Sequence, residues 1–311
     1  MNLQARPYHA PNDLAQMRHL LIIGSQSGIP ASYTHPGCLD WATHCPPDEA
    51  AWRRNLHLWE WVDQTPPLLA AWAIFMPHET TFDLFVHPTL YATPEHALVM
   101  DGYITWATQR AREAELTKLS PFWVYDYDQV TDRLMQERGF VPFHADPPAP
   151  LFARTLDKLP TVVLPPGFTV QGVHSAEDGR RRAEVSCAAF SPHSDWTPYW
   201  RAYQQFMASA VYDGERDLLV RSPDGRGAAV CTIWFDPVNR IGLFEPVATH
   251  PDFQGQGLGK AVMAEGLRRM KRAGMAQAIL GFDPNNVAAL RLYSAMGFQA
   301  ACNFAFYAKA L

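Results

Sequence analysis

Residues 244–260 read Phe-Glu-Pro-Val-Ala-Thr-His-Pro-Asp-Phe-Gln-Gly-Gln-Gly-Leu-Gly-Lys, and this stretch decides the fold of the chain. The apolar run at residues 241–247 predicts a buried strand, and apolar residues at helical spacing after the glycines predict a helix that ends at Gly274. Glycines leave backbone N–H groups uncovered, and a helix N-terminus attracts negative charge. The succession of strand, glycine loop and helix therefore predicts a site for a phosphate or diphosphate group.

The spacing of the glycines excludes two common nucleotide-binding loops. A P-loop has four residues between its first glycine and the Gly-Lys-Ser/Thr sequence. Here Gly255 is one position too close to Gly259, and Ala261 stands where the magnesium-binding hydroxyl is required. The dinucleotide fingerprint Gly-x-Gly-x-x-Gly is also absent. The pattern that begins at Gln254 is instead Gln-x-x-Gly-x-Gly.

A second motif, residues 286–298, reads Asn-Val-Ala-Ala-Leu-Arg-Leu-Tyr-Ser-Ala-Met-Gly-Phe. The two motifs resemble the diphosphate loop of the GNAT acyltransferase superfamily, Gln/Arg-x-x-Gly-x-Gly/Ala, and its closing motif, Asn-x-x-Ala-x-x-Leu-Tyr-x-x-x-Gly-Phe. The resemblance covers residues 165–311. It implies an α/β fold in the broad sense, with the mixed sheet of an α+β protein. Its sheet is mixed but mostly antiparallel, is flanked by helices and has a splayed central strand. A glycine-rich turn without a ligand is the alternative interpretation of the first motif taken alone.

The first half of the chain repeats the element order of the second. Its predicted strands at 55–62, 68–76 and 80–86, the last two joined by a turn at Pro77-His78, precede a helix at 97–116. A strand at 121–125, a helix at 129–138 and a closing strand at 152–156 follow. We therefore expect two tandem GNAT-like domains, residues 1–158 and 159–311.

The two copies differ at the glycine loop. At the positions equivalent to 254, 257 and 259 the first copy has Tyr91, Pro94 and His96, and Met135 stands opposite Tyr293. Proline has no N–H group to offer, and a histidine side chain fills space that a phosphate requires. Residues 1–158 are therefore predicted to be a degenerate copy that does not bind CoA, and residues 159–311 to be the catalytic copy.

In the second copy, residues 176–190 and 197–211 predict two helices. The three arginines of the first helix are expected to face solvent. The second helix carries an aromatic stripe that is expected to be core, although an aromatic face could also hold an amine by cation–π contact. The stripe consists of Trp196, Tyr199, Trp200, Tyr203 and Phe206.

Composition narrows the possible partners. The 311 residues are 48% apolar, and the formal net charge is −5 with no basic run, so a nucleic-acid partner is not expected. The five cysteines are odd in number and lack Cys-x-x-Cys spacing, which argues against a disulfide framework and against a metal site. No signal peptide or membrane-length apolar run is present, so we expect no membrane partner and a cytoplasmic protein, either a monomer built as a pseudo-dimer of two domains or a homodimer.

The resemblance implies an N-acetyltransferase that moves an acetyl group from acetyl-CoA to the amine of a small molecule by direct attack in a ternary complex. The backbone of the central strand would pair with the pantetheine arm, and an N–H near Val247 would polarise the thioester carbonyl. The residues expected to bind acetyl-CoA are Val247, Ala248, Thr249, Gln254, Gly255, Gln256, Gly257, Leu258, Gly259, Lys260, Asn286 and Tyr293.

Two residues are expected to move protons. A free amine is mostly protonated at neutral pH, so a base is needed. Glu245 lies two residues before Val247 on the strand, which predicts that both project to one face. Tyr293 is expected to donate a proton to the departing CoA thiolate. A structural carboxylate is the alternative role for Glu245, and the other candidates for the base are His174, His193, Asp195 and His250.

Two further functions stay open at this point. One is a mycothiol-synthase-like enzyme that acetylates an amino-sugar conjugate. The other is a non-catalytic CoA-binding regulatory module, against which the presence of Glu245 and Tyr293 argues.

Overall fold

A computed structural model describes residues 2–9, 11–45, 49–76, 81–121, 124–143, 147–192 and 194–311. The predicted turn at Pro77-His78 and part of the predicted strand at 121–125 lie outside these residues. The described residues form two compact units, and each unit has its own apolar core. Unit 1 consists of residues 1–35, 48–150 and 302–311, and unit 2 consists of residues 36–47 and 151–301.

Strands and helices are numbered along the chain. The strands are β1 (Leu3–Pro7), β2 (Leu56–Trp61), β3 (Leu68–Met76), β4 (Thr81–Val86), β5 (Lys118–Leu119), β6 (Val141–Phe143), β7 (Pro150–Thr155), β8 (Thr169–Gly172), β9 (Asp217–Arg221), β10 (Gly227–Asp236), β11 (Ile241–Thr249), β12 (Gln277–Gly281), β13 (Gln299–Asn303) and β14 (Phe306–Ala310). The helices are α1 (Asn12–Gln26), α2 (Pro36–His44), α3 (Glu49–Arg54), α4 (Pro94–Glu113), α5 (Gln129–Glu137), α6 (Ala176–Phe190), α7 (Thr197–Met207), α8 (Leu258–Arg272) and α9 (Val287–Ala295).

Unit 1 contains two small sheets. The antiparallel sheet β1-β2-β3-β4 packs against α1 and α4, and the strands β5-β14-β6 form a second sheet. Its core includes Trp61, Phe75 and Tyr103, together with Tyr307 of β14. The C-terminal strand of the chain is therefore part of unit 1.

Unit 2 is built on one sheet with the strand order β13-β7-β12-β11-β10-β9-β8. All the recorded pairings are antiparallel except that of β11 with β12, which gives the mixed but mostly antiparallel sheet expected. Helices α6 and α8 both pack on β10 and β11. A Cβ added at Gly266 of α8 would lie 2.6 Å from Cε1 of Phe244, so a glycine is required for this close approach of helix and strand.

The predicted splay of the central strand is present. Strand β11 pairs with β12 only from Ile241↔Gln277 to Leu243↔Ile279 within the described residues, although β11 continues to Thr249. The second half of β11 therefore opens away from β12. This opening gives an extended ligand access to backbone groups of the strand.

The compact units differ from the continuous ranges predicted from the sequence. Strand β7 stands in the sheet of unit 2, between β12 and β13, whereas β14 stands in the second sheet of unit 1, between β5 and β6. Helix α2 also belongs to unit 2, although it comes from the first half of the chain. Each unit thus includes a strand from the opposite half, so a cut between residues 158 and 159 does not separate the two units.

Candidate active site

A cleft of about 530 Å³ opens in unit 2 where β11 parts from β12. The end of β11, the glycine loop, the start of α8 and one side of α9 form its walls. The structure brings most of the residues predicted from the sequence to this cleft, and Gln256 and Glu245 are not among the residues that line it. The predicted residues lining it are Val247, Ala248, Thr249, Gln254, Gly255, Gly257, Leu258, Gly259, Lys260, Asn286 and Tyr293.

The glycine loop has the backbone that an anion cradle requires. Gly255 and Gly257 have φ values of +76° and +78°, in the left-handed region that favours glycine. Gly257 is the residue before α8, so the amides of the first helical turn have no intrahelical acceptors and lie at the positive end of the helix. Lys260 and Arg291 add two cationic side chains to the cleft wall. This end of the cleft therefore suits a negatively charged group.

Tyr293 also lines the cleft and is buried, with 7% of its surface exposed. Its ring packs edge-on against Phe282, at 5.2 Å between centroids, and against Phe298 at 6.4 Å. Burial, with smaller contributions from Cys231 and Glu245, raises the pKa of the phenol to about 12. The phenol therefore keeps its proton at neutral pH and can act as an acid.

Asn286 caps the helix that carries Tyr293. Its Oδ1 accepts a hydrogen bond of 3.0 Å from the amide of Ala289. The side-chain oxygen is therefore used by the cap. The NH₂ group of the same side chain is the group that could donate to a ligand in the cleft.

Glu245 lies at an irregular place in β11. Opposite Thr232 of β10, strand β11 has two residues, Glu245 and Pro246, between the pairs Ile233↔Phe244 and Cys231↔Val247. This bulge interrupts the alternation of side chains, so the spacing of two residues from Val247 does not fix the direction of Glu245 as the sequence argument assumed.

The carboxylate of Glu245 is half-buried and contacts α2. Its Oε2 accepts a hydrogen bond from Sγ of Cys38 at 3.3 Å, and its backbone oxygen accepts one of 2.9 Å from Nε1 of Trp234. The charge of Glu245 makes a minor contribution to the raised pKa of Tyr293.

The alternative bases have other roles in the structure. His250 caps a short 3₁₀ helix through Nδ1, which accepts from the amide of Asp252, and Asp195 accepts from the amide of Thr197. His174 forms an exposed pair with Glu215 at 2.9 Å. His193 lies outside the described residues.

A buried polar cluster behind the sheet was missed by the sequence analysis. Arg182 of α6 was expected to face solvent, but it is fully buried and pairs with Asp217 at 3.2 Å. It also donates to Thr232 at 3.0 Å, and Tyr203 donates to Asp217. Burial, the largest single effect, would lower the pKa of Arg182, but the charge of Asp217, its hydrogen bond and the neighbouring Tyr199 and Tyr203 together raise it. The sequence did contain a signal for the burial of Arg182. This residue lies three or four residues from other buried positions of α6, which is the spacing of one helix face.

The aromatic stripe of α7 is mainly core, as expected. Tyr203 and Phe206 are 0% and 2% exposed, and their cluster includes the more exposed members of the stripe. Trp41 of α2 packs edge-on against Phe206, at 5.1 Å between centroids. No motif in the sequence indicates that α2 joins this cluster, because its partners follow more than a hundred residues later.

In the residues that the structure describes, there is no group of three or more His, Cys, Asp or Glu side chains that could hold a metal ion. None of the helices in the described part of the chain has the length and apolar character needed to cross a membrane.

Comparison with known families identifies the domain that carries the cleft. Residues 182–298 match the model of the Acetyltransferase (GNAT) family. The structure resembles a tandem GNAT protein from the clavulanic acid biosynthesis pathway, with a TM-score of 0.67, 16% identity, and coverage of 99% of this chain and 98% of the other. A GCN5-related N-acetyltransferase from Sphaerobacter thermophilus gives a TM-score of 0.62 at 20% identity, covering 99% of this chain and 95% of that one.

Curated relatives carry the name mycothiol acetyltransferase. The protein from Streptomyces bingchenggensis is 31% identical over 148 residues, which are 46% of this chain and 46% of the relative. The protein from Renibacterium salmoninarum is 25% identical over 245 residues, which are 76% of this chain and 70% of the relative. The first of these matches thus spans about half the length of the relative.

Proposed function

Since the chain is a tandem GNAT protein by its fold and by the family match within unit 2, we propose that unit 2 transfers an acetyl group from acetyl-CoA to the amine of a small molecule. The single observation that carries this proposal is the cleft at the splayed end of β11, whose lining includes a glycine loop with a helix N-terminus and a buried, protonated tyrosine. We place a diphosphate at the glycine loop and a thioester beside the tyrosine.

The residues of the cleft divide the chemistry among them. The loop amides and Lys260 hold the diphosphate, and the open backbone of β11 pairs with the pantetheine arm. The amine attacks the thioester carbon, Glu245 takes the proton that the amine loses, and the carbon–sulfur bond breaks. Tyr293, which is protonated at neutral pH, then gives its proton to the departing thiolate.

We further propose that each chain binds one acetyl-CoA, because the equivalent place in unit 1 is filled by the chain itself. Tyr33 donates a hydrogen bond of 2.8 Å from its hydroxyl to the carbonyl of Val86, at the end of β4. Val86 stands opposite Thr249 in the repeat. A backbone group at the end of β4, the strand equivalent to β11, is thereby used by a side chain of the protein.

Further contacts fix the segment around Tyr33 in place. Asp128 caps α5 as Asn286 caps α9, and it accepts hydrogen bonds of 3.1 Å from both the amide and the hydroxyl of Ser32. Tyr91, which stands opposite Gln254, donates 2.8 Å to the other oxygen of Asp128.

The cavity beside these residues in unit 1 is small. It has a volume of about 20 Å³, and its lining includes His96 and Met135, the residues equivalent in the repeat to Gly259 and Tyr293. This volume holds about one water molecule, and no coenzyme. His96 is 2% exposed, and burial lowers its pKa to about 4, so at neutral pH it offers no positive charge to a phosphate.

For the acceptor we propose an amino-sugar conjugate of the kind that a mycothiol-type acetyltransferase acylates. The support is the repeated name of the curated relatives, in particular the match that covers 76% of this chain. We place the acceptor beside the half-buried Glu245 and Trp41, because a carboxylate and an aromatic ring suit a polyhydroxylated cation.

The test is the acceptor-dependent release of CoA thiol, measured with desacetyl-mycothiol and with a panel of simple amines. We expect turnover with wild-type protein and a loss of about 100-fold in kcat for Glu245→Gln, with unchanged affinity for acetyl-CoA. Calorimetry should give one acetyl-CoA per chain. Tight binding of acetyl-CoA without thiol release for any amine would instead support the non-catalytic regulatory module.

A stoichiometry of two acetyl-CoA molecules per chain would overturn the proposed role of unit 1. Turnover of simple amines without turnover of desacetyl-mycothiol would remove the amino-sugar acceptor but leave the acetyltransferase proposal in place.

A further inference from the structure

Helix α2 brings a segment of the first half of the chain to the proposed base of unit 2. A Cβ added at Gly37 would lie 2.4 Å from Cβ of Trp234, so a glycine is required for α2 to lie against β10. Trp41 packs edge-on against Trp234, at 6.4 Å between centroids, and against Phe206. The guanidinium of the buried Arg182 lies 5.5 Å from the centre of the Trp41 ring. The helix is therefore fixed on unit 2 by specific apolar and cation–π contacts.

These contacts place one thiol against the proposed base. Sγ of Cys38 lies 3.3 Å from Oε2 of Glu245. An ionised carboxylate only accepts hydrogen bonds, so the thiol is the donor. The backbone oxygen of the same glutamate accepts from Nε1 of Trp234 at 2.9 Å. Glu245 is thus held at its main chain by β10 and at its side chain by α2.

We propose that Cys38 is a positioning residue for Glu245. The thiol holds Oε2 and thereby fixes the direction in which the carboxylate meets the amine. A hydrogen bond to the charged form also stabilises the carboxylate, which is the form that acts as a base. The inference rests on the proposed acetyltransferase function and deepens it, because it makes a residue of the first half of the chain part of the acceptor side.

The kinetic test compares two replacements of Cys38 with a control cysteine. Cys38→Ala removes the donor, and we expect kcat for the amine to fall about tenfold with the Kd of acetyl-CoA changed less than twofold. Cys38→Ser restores a hydroxyl donor and should keep at least half of the wild-type kcat. The control is Cys302→Ala, which removes a half-buried thiol of β13 that does not line the cleft and should leave kcat unchanged.

A double-mutant cycle separates positioning from a general effect on folding. In a Glu245→Gln background, Cys38→Ala should have no further effect on kcat, because the group that it positions no longer acts as a base. Equal losses for Cys38→Ala and Cys38→Ser, or a full tenfold loss in the Glu245→Gln background, would overturn the inference while the proposed function stands.

A second measurement needs no turnover and therefore tests the contact even if the proposed function fails. Iodoacetamide alkylates a thiolate: the sulfur–carbon bond forms, the carbon–iodine bond breaks, and iodide and the thiol proton are released. The nearby negative charge of Glu245 disfavours the thiolate. Glu245→Gln should therefore speed the alkylation of Cys38 about threefold or more, measured by peptide mass spectrometry, with Cys302 as the internal reference. An equal rate in both proteins would contradict the contact.

Discussion

At the scale of single residues, the loop and the closing motif could be predicted because each needs a particular residue type. A φ of +78° at position 257 favours glycine. At position 293, a tyrosine supplies a buried phenol that keeps its proton. The environment of Glu245 could not be predicted, since it depends on a bulge in β11 and on Cys38, which is remote in the sequence. Residue type is local information, whereas the partner of a side chain depends on the whole fold.

Replacement of Gly257 by aspartate should abolish acetyl-CoA binding. The change places a carboxylate beside the proposed diphosphate and forces a side chain onto left-handed backbone, which costs about 1–2 kcal/mol. A Cβ at this position meets no protein atom within 4 Å, so the fold has space for it. Calorimetry should show a loss of affinity of at least 100-fold.

The control for this change is Gly257→Asn, which has the same shape and backbone strain without the charge. The asparagine variant should bind acetyl-CoA more tightly than the aspartate variant by at least tenfold. Equal affinities would mean that no anion lies beside this residue.

Tyr293→Phe should lower kcat by about 100-fold while the Kd of acetyl-CoA changes little, because the ring and its packing on Phe282 stay in place. With a pKa of about 12, the phenol is protonated at every pH below that value. Wild-type kcat should therefore show no alkaline loss due to this group between pH 7 and about 10. Stopped-flow or steady-state thiol release over this pH range provides the measurement, and an unchanged kcat in the variant would exclude the acid role.

At the scale of elements, the helices and strands that could be predicted are those whose sequence pattern lies within the element itself. Strand β3 and helix α6 have the predicted bounds, and β11 begins at the predicted residue and ends two residues later, because each is a continuous apolar or amphipathic run. Helix α2 was missed since it begins with Pro36-Gly37, a pair that indicates a turn. Its partners, β10 and α7, are supplied by the second half of the chain.

The buried pair of Arg182 and Asp217 joins α6 to β9 and should be essential to the stability of unit 2. Arg182→Met leaves Asp217 as an uncompensated buried charge, which costs about 3–5 kcal/mol, or roughly 10 °C in Tm for a domain of this size. Thermal unfolding followed by circular dichroism would measure the loss.

The matched control is the double variant Arg182→Met, Asp217→Asn, in which the stranded carboxylate becomes a neutral amide. It should recover part of the lost Tm, because the neutral amide is no stranded charge and its one oxygen can still accept one of the two hydrogen bonds that Tyr203 and Thr232 donate to separate oxygens of Asp217. A double variant that is less stable than Arg182→Met would show that the charge of Asp217 is not the source of the loss.

At the scale of the whole molecule, the repeat could be predicted but the exchange of strands could not. Both β7 and β14 have the expected strand character, and only the pairing register assigns them to sheets. Sequence periodicity shows which residues form a strand, whereas the choice of neighbour depends on contacts between distant segments.

A fragment of residues 159–311 should fail to fold. It lacks β7, so β12 and β13 lose the strand that stands between them, and it lacks α2 with its contacts to the aromatic cluster. A fragment of residues 148–311 restores β7 and should show a more cooperative thermal transition. A cooperative melt and full acetyl-CoA affinity for the shorter fragment would refute this expectation.

The exchanged strands have an evolutionary consequence. A duplicated gene ordinarily lets one copy decay once the other performs the chemistry. Here β7 comes from the first half of the chain and completes the sheet that carries the cleft, and β14 comes from the second half and completes a sheet of unit 1. If unit 1 binds no coenzyme, as we propose, selection on unit 2 still preserves the segments of both halves that supply these strands.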